Sequence, residues 1–295
     1  MADNRPIAVF DSGLGGLTVV RAFRAKLPAE SLIYFGDTAR VPYGIKSSPT
    51  ICRFAMEIVT FLMQFNPKAI VVACNTASAV ALDELREQFA LPIWDVIEPG
   101  ARLAAELSWK GTVGLLATEA TVASDAYPRA IRRHNPGARV VSHAAPLLVP
   151  LVEEGRPLDH PITRMAIEEY LGPVLSKTRA LGGEPAAVLL GCTHYPLLAP
   201  AIRQVLGSDI ALIDSGEQTA GVLAEELPRL GLEASSDGQG TRRGSLTCIV
   251  SDNADRFAAV GTRFLGEPIE NVRYVGPDEF YEAQSRGADG SGRTR

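Results

Sequence analysis

Ten short apolar runs punctuate this chain, and no other feature restricts its fold as tightly. They are Ile7–Phe10, Leu32–Phe35, Ala69–Ala73, Ile93–Val96, Thr112–Ala117, Arg139–Ser142, Ala187–Leu190, Ile210–Ile213, Leu246–Val250 and Val272–Val275. Each is rich in Val, Ile or Leu and shows little alternation of apolar with polar positions. Runs of that kind suit strands covered on both faces. Longer amphipathic stretches separate them. From Ala77 to Phe89, the residues Ala77, Val80, Ala81, Leu85 and Phe89 make one stripe, with Asp83, Glu84, Arg86 and Glu87 opposite. That spacing predicts a helix. Strand and helix in alternation predict an α/β fold with mostly parallel sheets flanked by helices. Ligands bind such sheets beyond the carboxyl ends of the strands, so chemistry is sought in the residues after each run.

Four of these post-strand turns stand out: Asp11-Ser12-Gly13, Cys74-Asn75-Thr76, Thr118-Glu119-Ala120-Thr121 and Cys192-Thr193-His194. They fall into two halves. Residues 7–12 are similar to residues 113–118, and Ile70-Val71-Val72-Ala73-Cys74-Asn75-Thr76 is more closely similar to Val188-Leu189-Leu190-Gly191-Cys192-Thr193-His194. An internal duplication with one cysteine per copy predicts two similar lobes, related by a pseudo-twofold axis, facing each other across a cleft.

At 295 residues, 46% hydrophobic and 21% charged, the chain can bury a sizeable core without staples. Its net charge of −5 argues against a broad nucleic-acid-binding face. Met1 to Pro6 is too short and polar for a secretory signal. The longest apolar run, Ala144 to Val152, is broken by Pro146 and Pro150 and is too short to span a membrane. The cytoplasm is the expected location. The Gly-, Ser- and Arg-rich residues 283–295 are expected to be disordered, and Ala234 to Gly244 to form a surface loop.

The four cysteines, Cys52, Cys74, Cys192 and Cys248, make no CxxC pair. A disulfide framework or a structural zinc site is not expected. Each is then either a small core residue or a working thiol. Cys52, inside an amphipathic helix, and Cys248, inside a strand, read as core. Cys74 and Cys192 each end a strand and open a helix or turn, followed by small hydroxyl or amide residues. A helix N-terminus presents free N–H groups and positive partial charge. That lowers a thiol pKa from its usual value of about 8.5 and cradles a carboxylate. Two such thiols on opposite sides of one carbon could invert it, one removing the α-proton and the other supplying a proton to the far face. Neither metal nor other cofactor is required, provided backbone N–H groups and hydroxyls stabilise the carbanion.

His194, two residues after Cys192, is read as a tuner of that thiol or a proton carrier. Asp11 is read equally as a helix cap and as a group orienting a substrate ammonium or a thiol. Gly13, Gly15 and Gly16 match neither a dinucleotide fingerprint nor a P-loop, and read as a tight turn approaching a small ligand. Arg40-Val41-Pro42-Tyr43-Gly44 reads as a surface turn, and Glu153 with Glu154 as solvated carboxylates in a long loop.

The chain closely resembles bacterial glutamate racemases. The resemblance is carried by Val9-Phe10-Asp11-Ser12-Gly13-Leu14-Gly15-Gly16-Leu17-Thr18, Tyr34-Phe35-Gly36-Asp37-Thr38-Ala39-Arg40-Val41-Pro42-Tyr43-Gly44, Ala73-Cys74-Asn75-Thr76-Ala77-Ser78, and Val96-Ile97-Glu98-Pro99-Gly100. Thr118 with Thr121-Val122, Pro150-Leu151-Val152-Glu153, and Gly191-Cys192-Thr193-His194-Tyr195-Pro196-Leu197 complete it, from about residue 7 to 266. The resemblance implies cofactor-independent interconversion of L- and D-glutamate, with D-glutamate passing into peptidoglycan. It implies Cys74 as the base toward D-glutamate and Cys192 as the base toward L-glutamate, with Asp11, Glu153 and His194 assisting. Substrate contacts fall on Asp11, Ser12, Pro42, Tyr43, Gly44, Asn75, Thr76, Thr118, Thr121, Thr193 and His194. The implied lobes are residues 1–98 with 212–282, and residues 99–211. A homodimer is the assembly implied.

Aspartate or hydantoin racemases share the two-cysteine layout. The aspartate enzymes place a glutamate where His194 stands and lack Val41-Pro42-Tyr43-Gly44, which favours glutamate. A binding or regulatory protein with an amino-acid cleft is the rival of another class, and it has no need of paired thiols. Some glutamate racemases also restrain DNA gyrase, and others are activated by a cell-wall precursor. The sequence decides neither.

Overall fold

A computed structural model of the chain describes residues 2–235 and 243–282. Residues 283–295, expected to be disordered, and most of the polar stretch from Ala234 to Gly244 lie outside the described residues. All ten apolar runs form strands: β1 (Ile7–Asp11), β2 (Leu32–Gly36), β3 (Ala69–Val72), β4 (Ile93–Asp95), β5 (Val113–Ala117), β6 (Val140–Ala144), β7 (Ala187–Gly191), β8 (Ala211–Asp214), β9 (Leu246–Val250) and β10 (Val272–Tyr274). The helices are α1 (Leu17–Lys26), α2 (Ser48–Leu62), α3 (Asn75–Gln88), α4 (Ile97–Leu107), α5 (Glu119–Ala123), α6 (Ala126–His134), α7 (Leu148–Glu153), α8 (Pro161–Ala180), α9 (Ala199–Leu206), α10 (Ser215–Arg229) and α11 (Ala254–Leu265).

The strands make two sheets, in the orders β10-β9-β2-β1-β3-β4 and β6-β5-β7-β8. Every pairing is parallel. The order β2-β1-β3-β4 in the first sheet recurs as β6-β5-β7-β8 in the second, so the repeated motif corresponds to a repeated topology. Central strands β1 and β3 match β5 and β7, and their carboxyl ends carry the four turns singled out above. Burial on both sheet faces explains the missing alternation. In β1, Ile7 and Val9 pack with Val20 and Phe23 of α1 on one side, while Ala8 and Phe10 meet Ile51 and Ile58 of α2 on the other.

The helix expected from Ala77 to Phe89 begins two residues earlier, because Cys74 adopts an extended conformation and caps α3. β8 pairs with β7, and the helix after it, α10, packs against both α1 and α4. One expectation needs correction. Glu153 is not in a long loop; it ends α7. Leu148, Leu151 and Val152 bury one side of that short helix. Pro150 falls in its first turn, where no intrahelical N–H bond is lost.

At the amino ends of the first sheet, away from the four turns, a buried ion pair ties the chain together. Lys68 Nζ lies 2.5 Å from Glu30 Oε2 and donates to Asp3 O at 2.7 Å, and Glu30 Oε1 accepts from Ala234 N at 2.8 Å. Removing one partner of such a pair strands the other charge. Lys68→Ala is therefore expected to lower unfolding free energy by about 3–5 kcal/mol, measured by urea denaturation, while ligand affinity of the folded protein stays unchanged. A loss below about 1 kcal/mol would refute the pair's role, since that is the range of an exposed salt bridge.

Candidate active site

The carboxyl ends of β1, β3, β5 and β7 converge on a cavity of about 160 Å³ lined from both lobes. Cys74 and Cys192 both line it, each nearly buried at 4% and 6% exposure. The first lobe adds Asp11, Ser12, Pro42, Tyr43, Gly44, Asn75 and Thr76, and the second adds Thr118, Thr193 and His194. Pro146, Val149 and Pro150 form an apolar wall with Ile45.

Backbone approach between the lobes makes this convergence possible. A Cβ on Gly15 would lie 2.1 Å from Thr193 Oγ1 and 2.5 Å from His194 Nδ1. The glycines after β1 thus serve a close approach, as expected, but at Gly15 the neighbour is the Cys192 loop and not a ligand. Thr18 Oγ1 sits 2.9 Å from Thr193 O, across the seam. On the other side, a Cβ on Gly44 would lie 2.9 Å from Thr118 Cβ. Tyr43, expected on a surface turn, is fully buried. Its hydroxyl donates to Asp37, which also pairs with Arg40 at 2.7 Å. The Arg40 guanidinium lies 4.1 Å from the Phe54 ring centroid and 5.2 Å from that of Phe280. This buried network, and not exposure, shapes the turn.

The two thiols have different electrostatic neighbours. Burial, then the Asp11 carboxylate, pushes Cys74 up to about 12, against N–H groups of Ala77 and Ser12 and the Ser12 hydroxyl. The helix N-terminus does not by itself yield a thiolate here, contrary to the expectation, because desolvation outweighs the dipole. Asp11 is itself pushed up by burial, opposed by the charge of His194 and by the N–H groups of Gly13, Gly16 and Ser12. Its Oδ2 accepts from Gly13 N at 3.0 Å.

Cys192 Sγ lies 3.9 Å from His194 Nδ1, and His194 Nε2 lies 3.0 Å from Glu153 Oε1. Burial disfavours the imidazolium, yet hydrogen bonds to Cys192 and Glu153, with their charges, lift His194 to about 10. The hydrogen bond from His194, followed by the charges of His194, Arg256 and Arg263, lowers Glu153 against its partial burial. Phe264 meets the imidazole edge-on, with centroids 5.2 Å apart. Glu153 does not line the cavity but reaches it through His194, a role that its spacing could not reveal. Thr121 likewise stands behind the wall, with its hydroxyl 2.9 Å from Thr118 and 3.4 Å from Thr76.

One participant escaped the sequence reading. Tyr127 of α6 is fully buried and donates to Asn75 Oδ1 at 2.6 Å. It belongs to none of the motifs, and its only signal is an aromatic residue in a strongly basic helix. Cys248 is buried in β9, as expected, whereas Cys52 is only partly buried and donates to Val80 O at 3.1 Å. A larger polar groove of about 420 Å³, bounded by Arg86, Asp95, Glu98 and Arg133, holds none of the residues that line the cysteine cavity. Among the described residues no cluster of three or more His, Cys, Asp or Glu side chains converges as a metal site requires. No helix among them is long and apolar enough to cross a membrane.

The profile of the family described as Asp/Glu/hydantoin racemase matches residues 17–223 of this chain. Over 276 residues the chain is 48% identical to the glutamate racemase of Neisseria meningitidis serogroup A, covering 92% of this chain and 96% of that protein. Its fold is similar to that of a glutamate racemase isoform from Bacillus anthracis, with a TM-score of 0.85 at 36% identity over 92% of this chain and 98% of the other. A glutamate racemase from Francisella tularensis, solved in complex with D-glutamate, gives a TM-score of 0.82 at 38% identity over the same shares.

Two predictions follow from the geometry. Gly15→Ala must displace Thr193, His194 or the β1–α1 turn. A misplacement of about 1 Å in a site of this kind costs about 10²-fold in activity, so turnover should fall by that order while the variant stays folded; activity within twofold of the parent would contradict the packing. The second concerns pH. Because His194 in the fold titrates above its usual 6.5, its stabilisation is full below pH 6.5 and is lost as pH rises through about 10. Ring NMR should place its midpoint near 10, and Glu153→Gln should move that midpoint downward. An unmoved midpoint would remove Glu153 from the charge system.

Proposed function

The chain belongs to the Asp/Glu/hydantoin racemase family, and from that premise we propose that it is a glutamate racemase that inverts the α-carbon with two thiols and no cofactor. The observation that carries this reading is the pair of buried cysteines lining one small cavity from opposite lobes. A substrate carbon held between them would present its two faces to two different acids or bases.

Proton positions follow from the neighbours. Cys74 rests as a thiol, pushed up to about 12. Cys192 Sγ lies 3.9 Å from Nδ1 of a protonated imidazole. From L-glutamate, Cys192 acting as the thiolate takes the α-proton, and Cys74 delivers its own to the other face. The product is D-glutamate, with Cys192 now a thiol and Cys74 a thiolate. For the reverse direction, Asp11 takes the proton of Cys74 and His194 gives its proton to Cys192, so charge is conserved. Glu153 holds the imidazole for that transfer. Ser12, Asn75, Thr76, Thr118 and Thr193 supply amide and hydroxyl donors for the two carboxylates, with Thr121 bracing the hydroxyls. The walls at Pro42, Tyr43 and Gly44 exclude water. Donors aimed at developing negative charge in a dry site contribute most to such a reaction.

On this reading the enzyme works in the cytoplasm as a homodimer and supplies D-glutamate for peptidoglycan. The likeness to a protein solved with D-glutamate supports that choice of substrate.

Incubation with L-glutamate in deuterated water, without added metal or cofactor, tests the proposal. Optical rotation should decay to zero with deuterium entering the α-position. Cys74→Ser and Cys192→Ser should each slow inversion by at least 10²–10⁴-fold, roughly the contribution of a positioned acid or base. Inversion of aspartate but not glutamate would move the substrate, and retention of inversion in either variant would end the two-thiol mechanism.

A further inference from the structure

We propose that Tyr127 is a positioning residue for substrate: reaching from the second lobe, it holds the Asn75 side chain so that the amide nitrogen faces the cavity and donates to a glutamate carboxylate. The proposal rests on the glutamate reading above and deepens it.

Tyr127 is completely buried near the start of α6, and a buried phenol needs a partner for its hydroxyl. The strong partner is Asn75 Oδ1 at 2.6 Å; Val96 O, at 3.5 Å, is the weaker alternative. Burial holds the phenol far above its ordinary pKa, so it keeps its proton and acts as a donor. A donor there fixes which end of the Asn75 amide faces it. In the structure the oxygen points to Tyr127 and the nitrogen away from it. Nδ2 takes no acceptor among the described residues, yet it is not one of the sealed-off polar atoms. Asn75 lines the cavity, so two N–H bonds of that amide remain for a ligand. A carboxylate is the ligand chemistry that fits, being acceptor-only.

The location adds a second reason. Asn75 opens α3 of the first lobe, directly after Cys74, whereas Tyr127 belongs to the second lobe. Val96, the weaker partner, is where the chain first passes from one lobe to the other. The orientation of a donor beside Cys74 is thereby set by the seated position of the opposite lobe.

Calorimetric binding of D-glutamate and steady-state kinetics on the wild type, Tyr127→Phe, Asn75→Ala and the double variant test this. Tyr127→Phe keeps the ring and removes only the hydroxyl. It should raise Kd and KM by about tenfold, the scale of one hydrogen bond to a charged group, and leave kcat within about twofold. The double variant should bind no more weakly than Asn75→Ala alone. An unchanged Kd in a folded Tyr127→Phe, or losses that add independently of Asn75, would overturn the proposal and leave Tyr127 a packing residue. In the wild type, the side-chain amide signal of Asn75, assigned by its loss in Asn75→Ala, should shift on addition of D-glutamate. Absence of that shift overturns the proposal even if Tyr127→Phe does not fold. A wild type that binds glutamate without inverting it would end the racemase reading alone, and one that does not bind it would end both.

Discussion

The turn after β1 lies so close to the loop carrying Cys192 that the place of a Cβ on Gly15 is already taken by Thr193 and His194. Two sheet ends can meet around a small molecule only if the turns between them are thin. A side chain at Gly15 would push the lobes apart, and with them the two sulfur atoms. Tyr34 fixes the same turn from behind by donating to Gly13 O at 2.8 Å. Gly44 meets Thr118 in the same manner on the far side of the cavity. The site is therefore held at two points where a glycine of the first lobe lies directly against side chains of the second.

The small enclosure that results decides the electrostatics. Burial acts on Asp11, Cys74 and His194 alike, and it penalises charge in all three. Their charged and hydrogen-bonding neighbours then separate them. His194 retains its proton because Glu153 and Cys192 accept from it. Cys74 retains its proton because burial, and then the Asp11 carboxylate, disfavour its thiolate. In the proposed reaction these are the two halves of one arrangement, with a base on one face of the substrate and an acid on the other.

Much of this was legible in the sequence. Ten strands could be found because strands buried on both faces leave runs of Val, Ile and Leu that do not alternate. The cysteine turns could be found because parallel sheets place ligands at strand ends, and because the two halves repeat. What stayed hidden depends on distance in space. Glu153 is 41 residues from His194 in the chain, and nothing local marks it as a partner. Tyr43 sits in a segment with turn composition, and only Asp37, Arg40 and the rings around them reveal that it is buried. β8 was found as a run, yet its place beside β7 was not, since strand membership is a pairing fact that a single run does not carry. Cys74 was expected to be acidic from its place at a helix start; the competing penalty comes first from burial and then from Asp11, 63 positions earlier.

The duplication makes the differences between the halves informative. The topologies match strand for strand, and Cys74-Asn75-Thr76 occupies the place of Cys192-Thr193-His194. The residue matching His194 is then Thr76, and the residue matching Asp11 at the end of β1 is Ala117 at the end of β5. Each half has kept its sulfur, and each carries an ionisable neighbour at a position where the other has an uncharged residue. Thr76, the uncharged counterpart of His194, meets Thr118, the counterpart of Ser12, at 3.0 Å, and both join Thr121 in a hydroxyl cluster. A symmetric pair of thiols suits a substrate whose two enantiomers differ only in which face bears the proton. Unlike neighbours suit a catalyst that must hold one thiol protonated and the other ionised at the same moment. A perfectly symmetric site would give both sulfurs the same protonation preference, and so could not hold an acid and a base ready across one carbon. The divergence of two positions in each half supplies that difference without altering the fold that brings the sulfurs together.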